Sequence, residues 1–328
     1  MSSGAGRGLR TRWRAIGALA VTAGLCVTGW PGTGVVHATP PVGGQAVRSS
    51  PGGADDWRTR LATPAPPAAR PVPSVPVPGV RAQAAIIFDP VTGETLWEHN
   101  SRELRSIASI TKVMTVMLFL ERQPDLSRDV VISREDVRRA STTYLRRGER
   151  VTLRDLVHLA LVASDNVAAR ALARVSPWGT RRFIARMNAK AAELGLDQTR
   201  FADPSGLDKE NISSAYDVSR LITAASQYPQ IAQIMRKRSH HFRTNRGART
   251  VRSTNRLLGT RVDVMAGKTG YIGVAGYCVA TLVQLDDGHQ ISVVVLGARS
   301  NAGRFSEARR LVDWLSTQAR VLLTSAAE

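Results

Sequence analysis

A serine and a lysine three residues apart, Ser109 and Lys112, open an apolar run that continues to Leu120. On a helix, side chains at i and i+3 share a face, so the hydroxyl can reach the amine. Lys112 is followed by Val113, Met114, Met117 and Leu118. Burial among such residues disfavours the charged form of an amine and lowers its pKa. A neutral amine beside a hydroxyl is a base beside a nucleophile. Ser109 also stands at the expected helix start, where the dipole favours developing negative charge. Two further clusters follow. Ser164-Asp165-Asn166 falls at a break between apolar helices and can project a hydroxyl and an amide together. Lys268-Thr269-Gly270 follows an expected strand. A cation and a hydroxyl on a strand edge can hold a carboxylate, and a glycine there lets another backbone approach. Taken alone, each cluster has an ordinary structural reading: a surface lysine, a helix stop, a strand end. Ser253-Thr254-Asn255 fits the pattern of the second cluster equally well. Ser164 is preferred because it lies between the other two clusters, at a helix junction.

The elements that must position these residues suit an α+β fold. Strands are expected over 84–88 and 94–98 around an Asp89-Pro90-Val91-Thr92-Gly93 turn. The middle reads as helices over 110–120, 152–163 and 166–175. Another spans 180–194, with Thr180 as cap and Gly195 beyond its end. Ser214 to Asp217 resembles a capping box opening a helix to about residue 227. Strands return at 262–266, 277–285 and 290–296, with Asp287-Gly288 turning between the last two. Residues 306–323 have helical periodicity. Strands at both ends and helices between imply an antiparallel sheet flanked by helices, with an inserted helical lobe.

The chain has 328 residues, of which 43% are hydrophobic, and global disorder is excluded. Its net charge of +19 and pI near 11.3 point to a polyanionic partner. Only five of the 45 basic residues are lysines: 112, 190, 209, 237 and 268. Residues 1–38 read as a secretory signal, with arginines at 7, 10, 12 and 14, an apolar run, and a cleavage site after Ala38. Ten prolines between Pro40 and Pro78 make 39–83 a spacer, extended or disordered. The catalytic domain is expected over 84–328. Export, to the periplasm, makes nucleic acid an unsuitable partner and an anionic wall polymer a suitable one. No membrane anchor is expected after signal cleavage. Once the leader with Cys26 is removed, only Cys278 remains, so no internal disulfide can form. No metal or cofactor is expected: H-E-x-x-H is missing, and His240 and His241 would face opposite sides of a strand.

The three clusters, in this order and spacing, resemble the D-alanyl-D-alanine peptidases among the low-molecular-mass penicillin-binding proteins. Met187-Asn188-Ala189-Lys190-Ala191, Asp203-Pro204-Ser205-Gly206-Leu207 and Gly267-Lys268-Thr269-Gly270-Tyr271 add to the likeness. The resemblance implies a β-lactamase/penicillin-binding-protein-like fold, a peptidoglycan substrate and covalent inhibition by β-lactams. It implies Ser109 as nucleophile, Lys112 as base and Ser164 as proton relay. Asn166 would bind substrate and orient Lys112. Lys268, Thr269 and Gly270 would hold the substrate, and the backbone N–H groups of Ser109 and Tyr271 would form the oxyanion hole. Arg304 resembles a family arginine that contacts carboxylate, although an arginine at a helix start needs no such role. A single soluble domain resembles the endopeptidase branch; the alternative is a carboxypeptidase removing terminal D-alanine. A β-lactamase and a non-catalytic wall-binding protein are remoter readings: no Glu-x-x-Leu-Asn loop is present, and the Ser/Lys pair is intact.

Overall fold

The computed structural model describes residues 79–325, with side chains to Thr317. The expected leader, and the spacer up to residue 78, lie outside the described residues. Strands β1 (Ala84–Phe88) and β2 (Thr95–His99) form a hairpin. A short β3 (Arg105–Ser106) leads through a 3-10 turn (Ala108–Thr111) into α1 (Lys112–Leu120). The lobe that follows comprises β4 (Asp129–Val131), α2 (Arg134–Val137), β5 (Arg150–Thr152), α3 (Leu153–Val162), α4 (Asn166–Val175) and α5 (Gly179–Glu193). It continues with β6 (Ile212–Ser213), α6 (Ala215–Ser226), α7 (Pro229–Met235) and the hairpin of β7 (Ser239–Thr244) and β8 (Gly247–Arg252). Then come β9 (Asp263–Ile272), β10 (Gly276–Gln284), β11 (Gln290–Ala298) and α8 (Asn301–Ser325).

Five strands form one sheet in the order β2-β1-β11-β10-β9, every neighbouring pair antiparallel. The first strand of the fold pairs with the last, Ala84 opposite Leu296. Both faces of the sheet are covered. Ala84, Ile86 and Phe88 join the larger core with the helical lobe, whereas Ala85 and Ile87 join a smaller core with Phe305, Ala308 and Leu311 of α8. A strand buried on both faces reads as an unbroken apolar run, which is why β1 is Ala-Ala-Ile-Ile-Phe. In the lobe, α1 is buried on all sides except at Leu120, packed against α3, α4, α5 and α6.

Several expectations shift. β9 was expected to stop at 266, before its glycines, but it runs to Ile272 because β10 pairs with it throughout, Gly270 opposite Cys278. Long-range pairing outweighs the weak strand propensity of glycine. Thr180 is not a cap: α5 begins at Gly179, and its N-cap, Trp178, makes no side-chain capping bond. Ser214 caps α6 by accepting from Asp217 N, but the box is not reciprocal. The Asp217 carboxylate instead accepts from Gln198 N and the Thr199 hydroxyl, both at 2.8 Å. The end of the expected spacer is tied down: Glu307 accepts from the backbone N–H groups of Arg81 and Ala82.

One close approach locks the lobe to the first chemical cluster. Gly206 has φ of +79°, and a methyl group on it would overlap the carbonyl of Ala108. Ala108 itself sits at φ +47°. Gly206→Ala is therefore expected to cost about 1–3 kcal/mol of stability, the usual cost of a side chain forced into a left-handed, crowded position. Urea denaturation measures it; a loss below about 0.5 kcal/mol would contradict the close approach.

Candidate active site

The 3-10 turn before α1 carries Ser109, and the first residue of α1 is Lys112. The amine is fully buried. Lys112 Nζ lies 2.8 Å from Ser109 Oγ, 2.6 Å from Asn166 Oδ1 and 2.5 Å from the Ser205 carbonyl. The last two are pure acceptors, so they consume two N–H bonds. A neutral amine has only two, and its lone pair is then left for the Ser109 hydroxyl proton. Burial brings the Lys112 pKa down to about 7; Asp203 and Asp165 oppose the shift and Arg170 adds to it.

Ser164-Asp165-Asn166 forms the corner between α3 and α4. Ser164 adopts φ +58°, which turns the chain sharply. Asp165 caps α4 through Ala168 N at 2.9 Å and accepts from Tyr144 N at 2.6 Å, so it is scaffolding for the corner. Burial pushes its carboxyl up, against these hydrogen bonds and the nearby Lys112. Asn166 bridges α1 and the loop before β5: its oxygen faces Lys112 and its Nδ2 donates to the Ser141 carbonyl.

Lys268-Thr269-Gly270 lies in the middle of β9, the edge strand of the sheet. Lys268 Nζ is buried and donates to Ser164 Oγ and the Thr269 carbonyl, each at 2.8 Å. Its pKa is held well below the ordinary value by burial first, then by Lys112 and Arg304. A methyl at Gly270 would stand 2.7 Å from the Ile107 carbonyl and 3.2 Å from Ser109 N, so the strand can touch the Ser109 turn only with glycine here. The Tyr271 ring is 52% exposed and stacks on Tyr277, with centroids 4.2 Å apart.

Ser109, Lys112, Ser164, Asn166, Lys268 and Thr269 are thus brought together from three distant parts of the chain. Arg304 stands behind them. Its guanidinium donates to the carbonyls of Gly270 and Cys278 at 2.9 and 3.1 Å and to Asn301 at 2.7 Å, and burial lowers its pKa to about 10. Through these bonds it braces β9 and β10.

Residues 72–300 match the sequence pattern of the D-alanyl-D-alanine carboxypeptidase family, more than two thirds of the chain. The chain belongs to this family. A D-alanyl-D-alanine endopeptidase of Pseudomonas aeruginosa is 34% identical over 250 residues, covering 75% of this chain and 80% of that one. Its Escherichia coli counterpart is 32% identical over 245 residues, covering 73% and 79%. Among solved structures, a D-alanyl-D-alanine carboxypeptidase of Mycobacterium tuberculosis aligns with TM-score 0.69 and 29% identity, over 76% of this chain and 96% of that one. The Streptomyces K15 DD-transpeptidase aligns with TM-score 0.68 and 27% identity, over 73% and 98%. The chain is a serine DD-peptidase by family and has the penicillin-binding-protein fold.

Two contributors to this DD-peptidase site escaped the motif reading. The Ser205 carbonyl acts through backbone, so its residue type carries no signal; only the turn-forming Asp203-Pro204-Ser205-Gly206 hints at it. Thr254 belongs to the cluster that was set aside. Its N–H donates to the Val162 carbonyl at 3.0 Å and its hydroxyl lies 2.6 Å from that of Thr269. It therefore links the corner to β9 and orients the Thr269 hydroxyl.

The Lys112 pKa sets a pH profile. The folded pKa is depressed, so the neutral base is lost as pH falls through about 7. The β-lactam acylation rate should fall tenfold per pH unit below that value and level off above it. Lys112→Arg keeps the charge but cannot release a proton. It should lose about 10²–10⁴-fold in the same rate, the usual contribution of a general base. A flat profile between pH 5 and 8 would remove Lys112 from the base role.

Thr254→Val should raise KM for peptide substrate about three- to tenfold, the worth of one neutral hydrogen bond, with Thr254→Ser restoring it. Steady-state kinetics of both variants would show an unchanged KM if Thr254 were filler.

Proposed function

We propose that the chain is an exported serine DD-endopeptidase that opens D-alanyl crosslinks in peptidoglycan. The observation that carries the reading is the Lys112 amine, whose two N–H bonds are engaged while Ser109 Oγ stands 2.8 Å from its remaining valence. Ser109 Oγ attacks the carbonyl carbon of the D-alanyl peptide bond, and its proton passes to Lys112 Nζ. The backbone N–H groups of Ser109 and Tyr271 receive the oxyanion, where charge grows in the transition state. The C–N bond then breaks. Lys112 passes the proton on through Ser164, which lies 2.8 Å from Lys268 Nζ, to the departing amine, and an ester remains on Ser109. Water repeats the steps in reverse, frees the carboxylate and restores the hydroxyl. Asn166 holds Lys112, while Lys268 and Thr269 supply the charge and hydroxyl for a substrate carboxylate or peptide, and β9 presents a free edge to it. Arg304 serves this scheme through the Gly270 carbonyl, by fixing the strand.

Endopeptidase is preferred to carboxypeptidase because relatives bearing that name match at 34% and 32% identity over about three quarters of this chain. Named carboxypeptidases share 30–33% identity, matched over 62–63% of their own length in four cases and over 89% in a fifth, from Mycobacterium tuberculosis. Cleavage of the leader after Ala38 and residence in the periplasm belong to the same reading, as does covalent inhibition by β-lactams.

Digestion of purified muropeptides, resolved by mass, is the test. Crosslinked dimers should yield monomers faster than pentapeptides lose D-alanine, and Ser109→Ala should do neither. The opposite ranking would make the enzyme a carboxypeptidase. Hydrolysis that survives in Ser109→Ala would remove Ser109 as nucleophile.

A further inference from the structure

The positive charge of the described residues is concentrated in two segments. Residues 138–150 hold five arginines and one acid, Glu149. Residues 236–256 hold seven arginines and a lysine, with no acid. These 34 residues carry a net +12, while the remaining described residues are nearly balanced. A general preference for arginine over lysine would not by itself remove the acids. The single acid is also spent: Glu149 is fully buried and paired with Arg249. Asp155, next to the hairpin, is paired with His240 at 2.8 Å.

The fold joins the two segments into one ridge. Arg150 N donates to Asn245 Oδ1 at 2.9 Å across the turn of the β7–β8 hairpin, and Arg249 donates to the Tyr144 carbonyl. Arg146, Arg147, Arg150, Arg243, Arg246 and Arg252 are exposed. A six-residue strand is about 20 Å long, so the hairpin presents like charge over the length of several polymer substituents. At exposed sites such repulsion costs stability without helping the fold, unless a partner of opposite sign is bound.

Both segments lead to the catalytic cleft. The carbonyls of Ser141 and Thr142 accept from Asn166, and Thr254, two residues beyond β8, meets Thr269. The ridge therefore adjoins the residues of the active site. We infer that the ridge is a docking surface for the polymeric substrate, binding carboxylates of the stem peptides next to the one being cleaved. This rests on the peptidoglycan reading above. Arginine suits the task, since its planar fork meets a carboxylate with two hydrogen bonds.

The test uses the full-length chain with Arg243→Glu, Arg246→Glu and Arg252→Glu combined. Folding is checked through the β-lactam acylation rate, which should stay within about twofold of the parent. In a Ser109→Ala background, cosedimentation with peptidoglycan stripped of phosphodiester polymers by acid should weaken about tenfold or more. The parent's binding should fall as salt is raised, as expected for exposed charges screened over about 8 Å at physiological ionic strength. Hydrolysis of insoluble peptidoglycan should drop through KM while turnover of a soluble crosslinked dimer is unchanged. Equal binding of parent and variant to stripped peptidoglycan would overturn the proposal. So would binding that disappears on stripping, which would assign the ridge to a phosphodiester polymer. If the parent bound stripped peptidoglycan through the ridge but left the soluble dimer intact, the docking surface would stand and the assigned reaction would fall. A variant that lost acylation would be replaced by the single Arg246→Glu substitution at the hairpin turn, read by the same binding assay.

Discussion

Taking one amine out of water sets the terms for the whole site. A buried, unpaired ammonium costs several kcal/mol. Lys112 lowers that cost by giving up its proton near neutrality and by finding two acceptors. The acceptors come from different elements, Asn166 from α4 and Ser205 from the loop before β6. The lobe must therefore close around α1 before the amine is tolerated at all. The loop has its own support: Asp203 accepts from Gly206 N at 2.7 Å, Asn211 Nδ2 at 2.6 Å and Ser205 N at 3.1 Å. The same carboxylate opposes the downward shift of the Lys112 pKa, so it both builds the cradle and moderates the base.

The second lysine answers a different electrostatic problem. Lys268 shares a buried neighbourhood with Lys112 and Arg304, and like charges there depress its proton affinity further. The site thus holds more cationic capacity than its nearby carboxylates neutralise. An incoming carboxylate would favour the protonated form of either lysine, so the site suits an anionic partner. Arginine would keep the field at either position, but only lysine can exchange protons with the serine beside it.

Local chemistry was legible from the residues, and long-range chemistry was not. The bounds of β1 and α4 follow from an apolar run and from an N-cap. The spacing of Ser109 and Lys112 carries its own geometry. Ser164, preferred to Ser253 as the serine of the second cluster, lies beside Lys268, yet Thr254 also reaches the site, because β8 and the segment after it pack beside α3. Nothing local could show that. The continuation of β9 through Gly267 and Gly270 depends on β10, and the Asp217 carboxylate is drawn from its expected cap by Gln198 and Thr199. The role of Arg304 is a similar case. The residue falls in the first turn of α8, earlier than the expected helix start at 306, and the two carbonyls it holds belong to β9 and β10.

The pairing of β1 with β11 sets the order of events in folding. Ala84 finds Leu296 only after nearly the whole domain has been made, and closing so long a loop delays the central sheet. The helices of the lobe have mostly near neighbours and can gather earlier. They bring Ser109, Lys112 and Asn166 within reach of one another but leave Ser164 without Lys268, which arrives on β9. The complete site therefore requires the complete sheet: a lobe without β9 would hold Ser109, Lys112 and Asn166 but lack Lys268.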